Sequence, residues 1–230
     1  MNNLTVIIPF FNEEQFLKES IKRVLSSKVA DFLILVDDCS TDNSLNIAIE
    51  TTKDLEFVSI LRSKENLGKG NALNLAKESI KTSHVVIHDG DLEYYPQDII
   101  EMIKESKLSP KSLILGSRFQ GNLKRENIYK RTYFANKLMS LIFSIIHFYK
   151  ISDIATCYKL MPTSFFKNTN FEEKGFAIEV ELIAKFLKFN KSIVETPIRY
   201  SGRSYEEGKK IKTSDGINYI LKTFKYKLFN

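Results

Sequence analysis

The sequence predicts an α/β fold: a mostly parallel sheet with helices on both faces. Two observations predict it. Short apolar runs of strand length alternate with segments of about a dozen residues whose apolar positions recur at helical period. Polar residues gather where the runs end, at Asn12-Glu13-Glu14, Asp37-Asp38, Asn66 to Asn71 and Asp89-Gly90-Asp91. In parallel α/β sheets, ligands sit beyond the carboxyl ends of the strands near a topological switch point. Four polar strand ends therefore mark one crevice.

Each element follows in order. Residues 5–9 (Thr5-Val6-Ile7-Ile8-Pro9) read as a buried strand, and 13–26 as a helix with Phe16, Leu17, Ile21, Val24 and Leu25 apolar. A strand over 32–36 leads, through the cap candidates Ser40-Thr41-Asp42, to a helix over 42–52. Strands over 57–61, 84–88 and 112–115 alternate with helices over 70–80 and 96–106, and Pro96 suits a first helical turn because it has no N–H to lose. After Arg118 the pattern changes. Residues 127–149 read as one long helix or two, 154–161 and 193–198 as extended, 176–189 as a helix between them, and 215–228 as a closing helix. No repeat, low-complexity tract or Pro/Gly-rich linker separates the halves, so one domain over 1–230 is expected.

Composition narrows the class. Hydrophobic residues at 43% and aromatics at 12% suffice for a core, which excludes wholesale disorder. Thirty-four Lys+Arg against 28 Asp+Glu give a net charge of +6, interspersed rather than in blocks. That balance suits phosphate-bearing small substrates or an anionic membrane surface as well as nucleic acid. The two cysteines, Cys39 and Cys157, form no CxxC and no Cys/His cluster, which argues against zinc and against dependence on an oxidising compartment. The N-terminus lacks signal-peptide features. The greasiest run, 138–148, is interrupted by Ser140, Ser144 and His147 and falls short of the ~20 apolar residues that span a bilayer. A cytoplasmic protein is expected, with peripheral contact at the membrane left open.

In an extended segment residues i and i+2 share a side. Asp89 and Asp91 then converge, and Gly90 lets a ligand approach closely. Paired carboxylates either retain a proton or recruit a cation. A hard ion, Mg²⁺ or Mn²⁺, held by one or two carboxylates and substrate phosphates answers the second case; a helix-capping turn answers the pattern equally well. Arg118, Arg131 and Arg203 stand near predicted element ends, where guanidinium forks suit phosphate oxygens, although a lone arginine more often serves a surface ion pair. Asn66-Leu67-Gly68-Lys69-Gly70 brings glycines to a helix start, but neither a P-loop nor GxGxxG is present.

Five blocks occur in order: residues 6–14 (Val6 to Glu14), 36–42 (Val36-Asp37-Asp38-Cys39-Ser40-Thr41-Asp42), 66–70, Asp89-Gly90-Asp91 and Gly116-Ser117-Arg118. Together they resemble the family 2 glycosyltransferases with a GT-A fold, Rossmann-like in its sheet. Residues 152–159 (Ser152-Asp153 to Tyr158-Lys159) and 200–210 (Tyr200-Ser201-Gly202-Arg203 to Lys210) look like the second half of the dolichyl-phosphate mannose synthase and polyprenyl-phosphate glycosyltransferase group. The resemblance implies a nucleotide-sugar half over 1–118 and an acceptor half over 119–230. It implies that Pro9, Asn12 and Glu13 line the base and ribose pocket beside Asp37 and Asp38, with Gly68 and Lys69 flanking the nucleotide. Asp89, Gly90 and Asp91 would form the DxD turn holding Mg²⁺ or Mn²⁺ against the diphosphate, with Glu93 at a metal-facing position. Arg118 and Arg131 would handle an acceptor phosphate, and Arg203 would approach the metal–diphosphate site.

The reaction so implied is a metal-dependent, inverting transfer from a GDP- or UDP-linked sugar to a polyprenyl phosphate, dolichyl or undecaprenyl, with no nucleic-acid partner. A lipid phosphate is already ionised and needs no base. The alternative acceptor, a glycan hydroxyl in polysaccharide or lipopolysaccharide synthesis, needs one, and Asp153 or Glu181 are the candidates, Glu181 reading better as a structural brace. Unlike many bacterial relatives, no transmembrane pair follows, so membrane access would rest on residues 134–149 or on a partner. That segment, apolar around most of its circumference with Lys130, Arg131, Lys137 and Lys150 at its ends, suits either a membrane-interface helix or one packed on the sheet or a dimer interface. His147 reads as a core or interface histidine. Tyr94-Tyr95 either stacks on a sugar or fills space. Two rivals remain: a catalytically silent nucleotide-sugar-binding scaffold, which needs neither Asp89 and Asp91 nor Arg118 and Arg203, and a nucleotidyltransferase, which would carry a glycine-rich loop before residue 20.

Overall fold

The computed structural model describes residues 3–127, 129–203 and 213–228; residues 204–210 of the second-half block lie outside them. In chain order the strands are β1 (Leu4–Phe10), β2 (Phe32–Asp37), β3 (Val58–Arg62), β4 (His84–Ile87), β5 (Leu113–Ser117), β6 (Arg125–Glu126), β7 (Lys159–Pro162), β8 (Ile193–Pro197) and β9 (Tyr200–Ser201). The helices are α1 (Leu17–Ser27), α2 (Ser44–Thr52), α3 (Lys69–Ala76), α4 (Ile99–Leu108), α5 (Lys130–His147), α6 (Thr163–Asn168), α7 (Ile178–Phe189) and α8 (Thr213–Leu228).

Seven strands form one sheet in the order β3-β2-β1-β4-β7-β5-β8, and β6 and β9 form a small parallel pair. The chain leaves β1 for β2 and β3 on one side, then returns to lay β4 on the other. That reversal between β1 and β4 is the switch point at which a crevice opens. β7 alone runs antiparallel, inserted between β4 and β5. Nearly every residue of β1, β2 and β5 is buried, so both faces of the sheet are covered, as the apolar runs imply. Helix α3 packs on β1 and β2, α4 on β5, β7 and β8, and α8 lies against α5 and α7.

Several boundaries differ from the sequence expectation. Residues 13–16 form a turn whose two N–H groups, of Phe16 and Leu17, both donate to Glu13 O, and the helix begins at Leu17. The helix expected to run to residue 80 ends at Ala76 and tightens into a 3-10 turn over Lys77–Ser79. Pro96 opens a 3-10 turn, Pro96–Asp98, ahead of α4. The segment expected as one helix or two yields a single helix, Lys130–His147. The extended run begins only at Lys159: the Cys157 N–H donates to Tyr94 Oη at 3.0 Å instead of joining a ladder.

Candidate active site

The carboxyl ends of β1, β4 and β5, the loop after β2 and the start of α3 converge on a cavity of about 250 Å³. Helices α5, α7 and α8 close its far side through Asn136 and Met139, Glu179, and Tyr219. The β4 strand ends at Ile87 and the chain turns through Asp89-Gly90-Asp91, with Leu92 held at φ 64°, a left-handed conformation unusual for a branched side chain. A Cβ added at Gly90 would meet Leu17, Ile8 and Phe10 at ordinary contact distance. Beneath the turn, the His88 ring nitrogens lie 2.9 Å from Tyr158 Oη and 3.2 Å from Ser20 Oγ, and burial pushes its pKa down to about 4.

Asp89 and Asp91 both line the cavity, but each meets its own cation. Lys69 Nζ donates to Asp89 Oδ1 and to Glu179 Oε1, both at 2.8 Å. Burial works to raise Asp89, yet the Lys69 ammonium holds its carboxyl below the usual range. Arg203 donates to Asp91 Oδ2 at 3.1 Å and to Glu13 Oε2 at 3.3 Å. Burial, then the negative charges of Glu93 and Asp89, push Asp91 up to about 8 against the pull of Arg203. Glu93 lines the cavity too, and its two oxygens accept from Tyr200 Oη at 2.7 Å and from the Arg203 N–H at 2.8 Å.

Lys69 is aimed by its neighbours. Gly68 sits at φ +86°, and a Cβ there would fall 2.2 Å from Lys174 O, so only glycine lets the chain turn into α3 at this distance. The Gly68 N–H donates to Asp38 Oδ2 at 2.7 Å and the Leu67 N–H to Asp38 Oδ1 at 3.2 Å. Burial nonetheless pushes Asp38 above its ordinary value, with Asp37 adding to the effect. Arg118 is gripped by Asp153: Nε and Nη2 reach its two oxygens at 2.8 Å each, and the Arg118 N–H donates to Oδ2 at 2.9 Å. The guanidinium also lies 5.0 Å from the Tyr200 ring centroid.

Of the residues expected at the site, Pro9, Glu13, Asp38, Lys69, Asp89, Gly90, Asp91, Glu93, Arg118 and Arg203 line the cavity. Four stand behind it. Asn12 is exposed and ties the loops together by accepting from the Thr41 N–H at 2.8 Å. Asp37 is fully buried, accepting from the Ser40 N–H and pairing with Arg62 at 3.1 Å. Gly68 shapes the turn, and Asp153 orients Arg118. Arg131 stands apart, exposed in the first turn of α5. Glu181 faces away from the cavity and accepts from the Glu172 and Glu173 N–H groups and from Lys185, so it braces the loop before α7. Tyr94 is buried against Tyr158, ring centroids 4.8 Å apart, while Arg199 covers Tyr95. Glu179, a cavity carboxylate paired with both Lys69 and the fully buried Lys159, went unnoticed in the sequence.

The family model described as glycosyl transferase family 2 matches residues 5–169, which include all of β1 but Leu4, the DxD turn and Arg118. The chain belongs to glycosyl transferase family 2. Among this member's relatives is an uncharacterised protein of Methanocaldococcus jannaschii, 27% identical over 201 residues, covering 84% of this chain and 85% of the relative. The dodecaprenyl-phosphate galacturonate synthase of Rhizobium johnstonii is 27% identical over 172 residues; the match covers 71% of this chain but 49% of that protein. In fold, the family 2 chain superposes on glucosyl-3-phosphoglycerate synthase of Mycobacterium tuberculosis, solved with Mn²⁺, UDP and glucosyl-3-phosphoglycerate. The TM-score is 0.73 at 15% identity, over 97% of this chain and 79% of that one. The GT-A arrangement expected from the sequence is therefore the one the family 2 chain adopts.

Proposed function

We propose that the protein transfers a sugar, with inversion, from a nucleoside-diphosphate sugar to a polyprenyl phosphate, with Mg²⁺ or Mn²⁺ as cofactor. The observation that carries the metal is the charge of the cavity. Six carboxylates line it among the described residues (Glu13, Asp38, Asp89, Asp91, Glu93 and Glu179) against three cations, Lys69, Arg118 and Arg203. Such a wall repels a diphosphate unless a cation accompanies it. Asp89 and Asp91 offer the hard oxygen donors that Mg²⁺ and Mn²⁺ prefer. When bound, the ion supplies Lewis-acid neutralisation of the diphosphate leaving group.

The chain's own residues do the rest. Pro9, Glu13 and Asp38 border the nucleotide end of the cavity, and Lys69 stands beside the DxD turn to meet a phosphate oxygen. Arg118, locked by Asp153, presents a fixed guanidinium to an acceptor phosphate, while Arg203, bridging Asp91 and Glu13, would meet the diphosphate. Holding donor and acceptor in line is worth about 7–11 kcal/mol of the barrier. The carboxylates considered as bases for a hydroxyl acceptor, Asp153 and Glu181, lie outside the cavity with their oxygens occupied, so neither is placed to deprotonate one, whereas an acceptor that arrives ionised needs no base. The name of the Rhizobium relative supports a polyprenyl phosphate as that acceptor.

Such an acceptor lies in a bilayer, and α5 and α8 offer a surface to meet it. Only Ser140 and Phe143 of α5 are buried, while Phe134, Leu138, Leu141 and Ile145 are exposed. On the adjoining α8, Leu221, Phe224 and Leu228 are exposed as well. Lys130, Arg131, Lys137 and Lys227 stand among them, suiting an anionic lipid surface. Among the described residues no helix is long and apolar enough to cross a membrane.

The test is incubation with GDP- and UDP-sugars, Mg²⁺ or Mn²⁺, and either undecaprenyl phosphate or saccharide acceptors. The proposal expects a lipid-phosphate glycoside that disappears in Asp89→Ala and Asp91→Ala. Product on a saccharide and none on lipid phosphate would overturn the acceptor; full activity in both variants would overturn the metal site.

A further inference from the structure

Across the cavity floor charges alternate: Lys159, Glu179, Lys69 and Asp89 in unbroken sequence, then Asp91, Arg203 and Glu13. Lys69 holds a divided position. Its ammonium is 2.8 Å from Asp89 and 2.8 Å from Glu179, two carboxylates on different elements, and its side chain is 18% exposed. The ammonium holds Asp89 through Oδ1, so a divalent ion at Asp89 must share that carboxylate with it. Two cations on one carboxylate repel each other strongly at this separation in a partly buried site.

We infer that Lys69 is a displaceable counter-ion of Asp89, and that Glu179 is the positioning residue that receives it when metal binds. This rests on the metal reading of Asp89 and Asp91 given above. Glu179 already holds Lys69 through Oε1, so the ammonium needs no long excursion: it releases Asp89 and keeps its second partner. Lys159, fully buried, pairs with the other Glu179 oxygen and fixes that carboxylate in place. The handover leaves the Lys69 charge in the cavity, beside the ion and available to a diphosphate oxygen, instead of expelling it to solvent. It also accounts for a carboxylate lining a pocket meant for anions: Glu179 is committed to lysines on both sides. Without Glu179, Lys69 would keep Asp89 as its sole carboxylate partner here and oppose the metal at full strength.

Mn²⁺ affinity measured by EPR in the absence of nucleotide tests this without recourse to turnover. Lys69→Met is expected to tighten Mn²⁺ binding by about fivefold or more, because a competing charge is gone. Glu179→Gln is expected to weaken it, and the loss should be at least about threefold larger with Lys69 present than in the Lys69→Met background. That non-additivity separates a handover from simple loss of a nearby negative charge, which acts equally in both backgrounds. An additive cycle, or unchanged affinity in Lys69→Met, overturns the inference. Asp89→Ala separates the two readings. If it leaves Mn²⁺ binding intact, the metal site itself is misplaced and the handover falls with it; if it abolishes binding while the cycle is additive, only the handover fails. Should Glu179→Gln not fold, because it strips Lys159 of its partner, Glu179→Asp keeps the charge but shortens its reach, and is read in the same cycle.

Discussion

Arg118 owes its usefulness to Asp153. A guanidinium buried beneath Phe119 and Tyr200 is worth having only if its orientation is fixed, and two hydrogen bonds to one carboxylate, which the Arg118 backbone N–H also holds, fix it. Arg118→Lys keeps the charge but loses the two-pronged grip, so kcat/KM for the proposed lipid-phosphate acceptor should fall by about tenfold or more, read by steady-state kinetics. Asp153→Asn should cost about 3–5 kcal/mol in a denaturant titration, because it strands a buried cation. At this scale the sequence was informative where a residue ends a strand, since strand ends in a parallel sheet have one destination. Asp89, Asp91, Glu13, Lys69 and Arg118 were legible for that reason. Glu179 was not. It shares α7 with Glu181, two positions on, and at 3.6 residues per turn the two point in nearly opposite directions. Only the packing of α7 against α8 says which carboxylate faces the cavity and which braces a loop. Arg131 stands outside the cavity for the complementary reason: it lies in the first turn of a helix, and that turn faces solvent.

Among the elements, α5 and α8 act together. The Lys227 ammonium lies 4.9 Å from the Phe148 ring, and His147 Nε2–H donates to Thr223 O at 3.2 Å, so the exposed apolar residues of the two helices adjoin. Leu141→Glu with Ile145→Glu should reduce co-sedimentation with phosphatidylglycerol vesicles while leaving the melting temperature nearly unchanged, because both positions are solvent-exposed in the protein. His147 gives this pair a pH signature. It stacks on Phe143 with ring centroids 4.1 Å apart, and burial, with Lys227 and Lys188 adding repulsion, pushes its pKa down to about 4 from 6.5. Between those values the unfolded chain binds the proton and the folded one does not. Stability therefore falls as pH drops from about 6.5 to 4. Denaturant titrations across that range should show a shallower loss in His147→Gln than in the parent. The sequence left open whether 134–149 is covered because its apolar residues surround the helix. The stretch 154–158 misled more plainly: its backbone polar groups are met by the side chains of Ser140, Tyr94 and Lys159 and by one bond from Gly116 to Tyr158 O, which no alternation of apolar residues can reveal.

For the molecule as a whole, the alternation of strands and helices was enough to predict a parallel sheet with a crevice at its switch point, because right-handed crossovers leave few other arrangements. The metal and the nucleotide should both enter there, each supplying charge the other lacks. Mn²⁺ and UDP or GDP added together should therefore raise the melting temperature by more than the sum of their separate effects, with Asp91→Ala abolishing the excess. The position of β7 was not legible, since a strand's direction leaves no mark on its composition. Its insertion bears on how the chain can be made. β5 has no sheet neighbour drawn from residues 1–118; its partners, β7 and β8, both come later, and β4 likewise waits for β7 on one edge. During synthesis three strand edges, one of β4 and both of β5, therefore remain open until residue 162 has emerged, and the second edge of β5 until residue 197, an interval in which a nascent chain is exposed to pairing with the wrong neighbour.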